Sequence, residues 1–147
     1  CDDKPNQRAY LYIKDDKVWN AEVLNPNLFN VIFTAVDNCI ELKKEDGKKD
    51  DSSCDGILTY LDKIIFIELK ARSVANRIWV GKGESQIKNT LFHFLKNGND
   101  LKKYSSKRAY LANSLKPEFQ FGQSTRMQRF EDETGVTLII QNKIKLD

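Results

Sequence analysis

The sequence predicts an α/β fold in which a mixed central β-sheet is flanked by helices. Two short runs rich in β-branched residues, 57–61 and 64–67, have the composition of buried strands. Residues 108–113 resemble a further strand, and before them the segment 84–96 has apolar residues at helical spacing. This strand–helix–strand order implies a parallel crossover onto one sheet. The 147 residues are one domain's worth of chain.

The first third of the chain predicts further strands. Apolar positions in 9–13 and the alternation in 18–24 indicate two of them. Residues 28–42 fit either a helical face or a strand, and the β-branched content of 31–36 favours a strand there. Residues 43–53 are charged and include a glycine, which is typical of a solvated loop.

The centre of the predicted sheet is a β-hairpin. The polar pair Asp62-Lys63 separates the two apolar runs, as in a tight two-residue turn, and in that register Asp55 faces Lys70. Because side chains alternate along a strand with a period of two, Asp55, Glu68 and Lys70 project from one face. Two carboxylates and an ammonium therefore converge at one end of the hairpin.

This group of charges has to be paired or bind a metal, since burying an isolated charge beside an apolar sheet is costly. Two carboxylates with backbone carbonyls and water suit Mg²⁺ or Mn²⁺, which Asp55 and Glu68 would hold. Lys70 would activate or orient a water, or neutralise charge on a phosphate. The alternative is an ordinary ion pair between Lys70 and one of the carboxylates.

Asp55, followed after twelve residues by Glu68-Leu69-Lys70 at the end of an apolar strand, resembles the motif of the PD-(D/E)XK nuclease superfamily. The resemblance covers roughly residues 54–113. It implies a restriction endonuclease-like core in which Asp55 and Glu68 bind Mg²⁺ and Lys70 assists phosphodiester hydrolysis. Many relatives carry a glutamine in the next helix, and by that match Gln86 would support the catalytic site.

The resemblance also implies a further acid near the start of the domain, since the family often supplies one from an early helix. The candidates in this sequence are Glu22, Asp37 and Glu41. All three stay open, and so does a plain surface role for each.

After the hairpin, the sequence predicts a polar connection over 71–83 and then the helix at 84–96. Gln86, Thr90 and His93 occupy one face of that helix at positions i, i+4 and i+7. We interpret the lone His93 as a partly buried structural residue rather than a base.

The last part of the chain predicts a second helix over 125–134 and a closing strand over 136–140. Ser124 would cap this helix and Gly135 would end it. Phe130 belongs to its core face, so the helix packs on the sheet.

The net charge of +3 hides a strong asymmetry along the chain. Residues 70–129 hold 13 Lys and Arg against 3 Asp and Glu, whereas residues 1–69 hold 9 against 14. A positive segment directly after an acidic site suits a polyanion laid across it, and a helix start attracts phosphate. The side chains expected to contact nucleic acid are those of Lys82, Lys88, Ser124, Arg126 and Arg129.

Together these features favour a metal-dependent endonuclease that hydrolyses phosphodiester bonds, in DNA ahead of RNA. Two alternatives stay open: an inactive nuclease-fold module that acts in binding or immunity, and a delivered nuclease toxin. Nucleic acid is the expected partner, with a homodimer or a cognate inhibitor protein as further options. Three cysteines are too few for a disulfide framework, and no apolar run reaches the ~20 residues of a membrane span, so we expect a cytoplasmic protein without a membrane partner.

Overall fold

The computed structural model describes residues 8–13, 19–44, 46–47, 51–72, 78–115 and 122–147. These ranges form seven strands, two α-helices and a short 3₁₀ turn. In chain order the strands and α-helices are β1 (Glu22–Leu24), β2 (Ile32–Ala35), β3 (Gly56–Tyr60), β4 (Lys63–Lys70), α1 (Ile78–Lys96), β5 (Ser106–Asn113), α2 (Ser124–Thr134), β6 (Thr137–Ile139) and β7 (Lys143–Lys145).

Five of the strands form one mixed sheet in the order β2-β3-β4-β5-β6. The pairs β2–β3 and β3–β4 are antiparallel, and the pairs β4–β5 and β5–β6 are parallel. Helix α1 makes the crossover from β4 to β5, as the strand–helix–strand order predicted. The mixed α/β class is therefore confirmed, with the hairpin β3–β4 inside the sheet.

The two faces of this sheet are covered by different elements. On one face Ile64 and Phe66 of β4 pack with apolar side chains of α1 and α2, including the fully buried Ile87 and Phe130. On the other face Ile65 packs against a small parallel sheet formed by β1 and β7. Since side chains alternate along β4, the face that carries Ile64 and Phe66 also carries the last residues of even number in that strand. That face lies under α1.

The hairpin turn lies one residue earlier than the sequence predicted. Leu61 and Asp62 form the turn, with Leu61 exposed and at a φ of 48°, and Lys63 is already in β4 opposite Tyr60. The expected turn at Asp62-Lys63 was therefore wrong, and the register differs by two residues. The expected pairing of Asp55 with Lys70 was therefore wrong, since this register continued by one residue places Asp55 across from Glu68. A shift of two still keeps every side chain on its face, so Asp55 remains on the face of Glu68 and Lys70.

Helix α1 begins at Ile78, inside the segment that the sequence predicted as a connection. Trp79 is buried in its first turn, which supplies the apolar contact that fixes this earlier start. Gly83 lies in the helix against Leu111 of β5. A Cβ atom at Gly83 would stand 2.3 Å from a methyl carbon of Leu111, so a side chain there would push the helix away from the sheet.

Three further differences concern the ends of the chain. The described residues 8–13 form no strand, and in the region 18–24 the described strand is only β1. Gln123 is the N-terminal cap residue of α2, and Ser124 is the first helical residue rather than the cap. The end of α2 is as expected, since Gly135 has a φ of 67° and its N–H bonds to the carbonyl of Glu131.

Within the described ranges, neither helix combines the length and apolar character needed to cross a membrane.

Candidate active site

Asp55, Glu68 and Lys70 meet at the C-terminal end of β4, on the face of the sheet that α1 covers. Asp55 directly precedes β3 and follows the same alternation as Glu68 and Lys70. The three side chains are almost fully buried, with exposed fractions of 7%, 1% and 3%. The sequence-based expectation that these residues share one face is confirmed by the register of the hairpin.

Lys70 holds the centre of this group. Its Nζ lies 2.5 Å from Oε1 of Glu68 and donates a hydrogen bond of 2.9 Å to Oε1 of Gln86. The amide nitrogen of Gln86 in turn donates to the carbonyl of Ser53 at 3.0 Å. The structure therefore brings Gln86 to the site, where it orients the lysine and ties it to the segment before Asp55.

Asp55 is fixed by the backbone of the neighbouring strand. Its Oδ2 accepts the N–H of Leu69 at 2.7 Å, between the two charged residues of β4. Burial raises the pKa of the Asp55 carboxyl, and the Leu69 N–H and the Lys70 ammonium oppose that rise without cancelling it. A buried carboxylate of this kind gains much from a cation that would compensate its charge.

Helix α1 closes over the site through its first turns. The Cβ position of Gly83 is 3.3 Å from Cγ of Glu68, so only a residue without a side chain lets the helix rest on this carboxylate. From the next turns, polar side chains reach the segment that leads into Asp55. The Thr90 hydroxyl accepts the N–H of Cys54 at 2.8 Å, and the Asn89 amide donates to Oδ1 of Asp51 at 2.9 Å.

His93 completes the contact between α1 and this segment. The side chain is 7% exposed, and its Nε2 lies 3.2 Å from Oδ2 of Asp51. A structural role for His93, as the sequence indicated, agrees with this position. The sequence predicted that Gln86, Thr90 and His93 share one face of α1. In the structure these side chains form a row of contacts that positions residues 51–54. Asn89, which the sequence analysis did not single out, belongs to the same row.

Cys54 reports on the charge around the site. Its thiol is fully buried in the apolar cluster beneath α1, and burial raises its pKa to about 12. The nearby carboxylates of Glu68 and Asp55 both act in the same direction, while Thr90 opposes them. Both carboxylates therefore lie near this thiol.

Among the three candidates for a further acid, Asp37 is the one close to the site. The N–H of Val36 donates to the carbonyl of Asp55 at 3.0 Å, and the Ser53 hydroxyl lies 3.4 Å from Oδ1 of Asp37. Glu22 is exposed on β1, in the small sheet on the opposite face. Glu41 is 81% exposed at its side chain and pairs with Lys43 at 3.5 Å.

Three of the expected nucleic-acid contacts form an ion-pair network between α1 and α2. Oε2 of Glu84 lies 2.5 Å from Arg126, and its Oε1 lies 2.8 Å from Lys88 and 3.7 Å from Arg129. Glu133 pairs with the same lysine at 2.6 Å. The cations are thus arranged along one surface, and each is already balanced in part by a carboxylate of the same chain.

Glu84 is the buried centre of that network. Its side chain is 6% exposed while those of Lys88, Arg126 and Arg129 are exposed by 30%, 30% and 58%. Burial alone would raise its pKa, but hydrogen bonds from Lys88 and Arg126 outweigh burial and hold the pKa of Glu84 below its ordinary value. The sequence analysis had not singled out this residue.

The last two expected contacts are solvent-exposed. Lys82 lines an open depression of about 330 Å³ beside the site, together with Ser52, Gly81, Ser85 and Gln86. Ser124 is exposed at the start of α2. The depression reaches Gln86, which bonds to Lys70, so Lys82 is an exposed cation on the surface beside the candidate site.

The carboxylates of Asp55 and Glu68 are the ligands expected for the Mg²⁺ ion that the family resemblance implies. Within the described ranges no group of three or more His, Cys, Asp or Glu side chains is arranged to hold a metal ion. Mg²⁺ is often bound through only one or two carboxylates with several waters, and Asp55 and Glu68 offer two on one face. These residues therefore fit the ion.

Comparison of the chain with protein-family models, with curated proteins and with solved structures gave no match.

Proposed function

We propose that this protein is a metal-dependent nuclease of the restriction endonuclease-like type, which hydrolyses phosphodiester bonds in DNA in preference to RNA. The observation that carries the proposal is the convergence of Asp55, Glu68, Lys70 and Gln86 at one end of β4. The structural setting agrees with it, because an antiparallel hairpin followed by a helical crossover to a parallel strand holds the group in place.

The residues divide the work of hydrolysis among them. Asp55 and Glu68 would hold Mg²⁺ or Mn²⁺, and such an ion would supply charge stabilisation to the phosphodiester during hydrolysis. Lys70 orients the attacking water or neutralises charge that builds on the phosphate, while Gln86 keeps the ammonium directed toward the site. Water adds to phosphorus, the bond to the leaving oxygen breaks, and a proton passes to that oxygen.

The surface next to the site supports a polyanionic substrate. Lys82 stands in the depression that leads to Gln86, and Arg126 and Arg129 lie along the neighbouring start of α2. When nucleic acid binds along this surface, Arg126 and Arg129 would exchange their contacts with Glu84 and Glu133 for contacts with its phosphates. The surface thus positions the strand without reading its sequence.

A second candidate function, an inactive nuclease-fold binding module, is favoured by one specific observation. Glu68 and Lys70 are 1% and 3% exposed and pair at 2.5 Å, which also describes a structural ion pair. In that case the same surface would bind nucleic acid or protein without turnover.

Asp55→Asn separates the two candidates. The asparagine oxygen can still accept the N–H of Leu69, and removing a buried charge relieves its desolvation, so the fold should keep or gain stability. The proposed mechanism requires that cleavage is lost, because one of the two carboxylates for the ion is gone. Asp62→Asn is the matched control, since Asp62 is exposed at the opposite end of the same hairpin.

The measurement is incubation of wild type and both variants with plasmid DNA, single-stranded DNA and RNA, in Mg²⁺, Mn²⁺ or EDTA. We expect cleavage by wild type and Asp62→Asn with metal only, and none by Asp55→Asn. Cleavage that persists in EDTA, or in a folded Asp55→Asn protein, overturns the site. Tight binding of nucleic acid with no cleavage under any of these conditions selects the binding module.

A further inference from the structure

Three aromatic side chains form a cluster outside the two apolar cores. The ring of Trp19 lies 6.2 Å from that of Tyr10, at an angle of 84°, and 5.3 Å from that of Tyr12, at 37°. Tyr10 is 58% and Tyr12 46% exposed, and Trp19 is half-buried. These three rings, the aromatic cluster, hold one another in fixed orientations while they leave large π-faces in solvent.

The aromatic cluster lies at the same end of β4 as the candidate active site. Asn20, the residue after Trp19, donates from its amide to the carbonyl of Lys70 at 3.3 Å. The same carbonyl accepts the N–H of Ser114 at 3.0 Å, so the end of β4 is fixed from two sides. A hydrogen bond to the backbone of Lys70 thus places the cluster next to the residue whose ammonium lies in the site.

Positive charge lies close to the aromatic cluster in the chain and at the end of β4. Arg72 is exposed two residues after Lys70, and the amide of Asn113 holds its backbone through bonds of 3.1 Å and 3.0 Å. Arg8 is exposed two residues before Tyr10. Exposed aromatic rings and exposed arginines are features with which proteins hold single-stranded nucleic acid, where rings stack on bases and cations contact phosphates.

We propose that the aromatic cluster stacks unpaired bases, and that the substrate of the candidate site is a single strand or an unpaired end. The inference rests on the proposed nuclease function, to which it adds a substrate class. Bases inside a duplex are stacked on their neighbours and have no free face for a tyrosine or tryptophan ring. A strand whose unpaired base is held there would run near the end of β4, to which Asn20 ties the cluster.

Binding measured without metal tests whether the aromatic cluster is a stacking platform for bases, separately from catalysis. Anisotropy of a fluorescein-labelled oligothymidylate and of a blunt duplex of equal length is measured in EDTA. We expect Trp19→Ala to weaken binding of the oligothymidylate by about fivefold to a hundredfold, from the loss of one or two stacking contacts, and to leave duplex binding unchanged. Trp19→Phe should keep most of the affinity, because the ring remains.

Two further variants keep the test independent of folding. Phe92→Ala is the control, because Phe92 is 49% exposed, on the exposed side of α1, and should bind as wild type does. Tyr12→Ala stands in for Trp19→Ala if that variant does not melt cooperatively. With Mg²⁺, Trp19→Ala should raise KM for single strands and leave kcat nearly unchanged, as expected for a group that only binds, whereas Trp19→Phe should change KM little.

The outcomes for the platform and for the nuclease are distinct. If Trp19→Ala and Tyr12→Ala bind the oligothymidylate as wild type does, or lose strand and duplex binding equally, the platform is wrong. Metal-dependent cleavage by wild type would then still support the proposed function. If the variants lose strand binding selectively but wild type cleaves nothing, the platform holds as a binding surface and the nuclease proposal fails.

Discussion

The two ends of β4 both carry charged side chains, but they hold them in opposite ways. At the turn end, Arg108 lies 3.0 Å from the carboxylate of Asp147, and Lys63 donates to the carbonyl of Asp147. The Asp147 side chain is 68% exposed. At the other end, the Glu68 and Lys70 side chains are 1% and 4% exposed, and they meet beneath α1.

The two ends of β4 differ in how much hydration their charged groups lose. An exposed pair such as that of Asp147 is stabilised weakly and is easily exchanged for water. A pair that is buried loses its hydration, and its attraction repays that loss only when further hydrogen bonds complete it. Gln86 supplies such a bond to the Lys70 ammonium, and the Leu69 N–H binds the neighbouring Asp55. This buried charged group is where we place the proposed function.

The largest expected effect is on stability, from Glu68→Gln. The substitution leaves the Lys70 ammonium buried without its carboxylate, which should cost about 3–5 kcal/mol in the free energy of unfolding. The double variant Glu68→Gln with Lys70→Met removes both charges and should recover most of that loss. Urea denaturation of the single and double variants gives the coupling energy. A single variant as stable as wild type would show that Lys70 does not depend on Glu68.

The second expected effect is stabilisation of the fold by the metal. If Asp55 and Glu68 hold Mg²⁺ only in the folded state, an ion concentration a hundredfold above Kd adds about 2.7 kcal/mol to the free energy of unfolding. Thermal melts of wild type should shift upward with Mg²⁺, those of Asp55→Asn should not, and those of Asp62→Asn should follow wild type. An equal shift in all three proteins would place the ion elsewhere.

The site end also shows how far sequence reasoning reaches. The facing of Asp55, Glu68 and Lys70 was predicted correctly although the turn was misplaced, because a register error of two residues leaves the alternation of faces unchanged. The turn itself was misplaced because the polar pair Asp62-Lys63 is more typical of a turn than the apolar Leu61. Nothing local in the sequence indicates that Leu61 adopts a positive φ.

Contacts between distant segments account for what the sequence did not predict. Lys88, Arg126 and Arg129 were expected as nucleic-acid contacts, but Glu84 is separated from Arg126 by 42 residues, so their pairing appears only once α1 and α2 pack. The start of α1 was missed for a similar reason. Two glycines in its first turns lower helix propensity, and the burial of Trp79 in the apolar cluster outweighs that preference.

The third expected effect concerns pH and the Glu84 network. Because the pKa of Glu84 is lowered in the folded protein, its contribution is present above the ordinary carboxyl pKa and is lost as pH falls through the lowered value. Glu84→Gln should therefore cost about 2 kcal/mol near neutral pH, typical of one charge-assisted hydrogen bond, and little in strong acid. Melts across that acid range test this, with Glu133→Gln, exposed by 48%, as the control.

Glu84→Gln should also change nucleic-acid binding. With the buried carboxylate gone, Lys88, Arg126 and Arg129 are freer to meet phosphates, so affinity in EDTA should rise and its salt dependence should steepen. Unchanged affinity and salt slope would remove this surface from the interface, while the site at β4 would be unaffected.

The smallest expected effect comes from the turn end, with the same acid-to-amide change that is severe at Glu68. The pKa of Asp147 is lowered, chiefly by Arg108 and also by Lys63, so its contribution too is lost as pH falls through the lowered value. Since the side chain is largely solvated, Asp147→Asn should cost less than about 1 kcal/mol at neutral pH, and salt should screen part of that. Urea denaturation beside Glu68→Gln makes the comparison direct. If the two substitutions lower the free energy of unfolding equally, burial does not distinguish the two ends of β4. It would then give no reason to place function at Glu68 and Lys70.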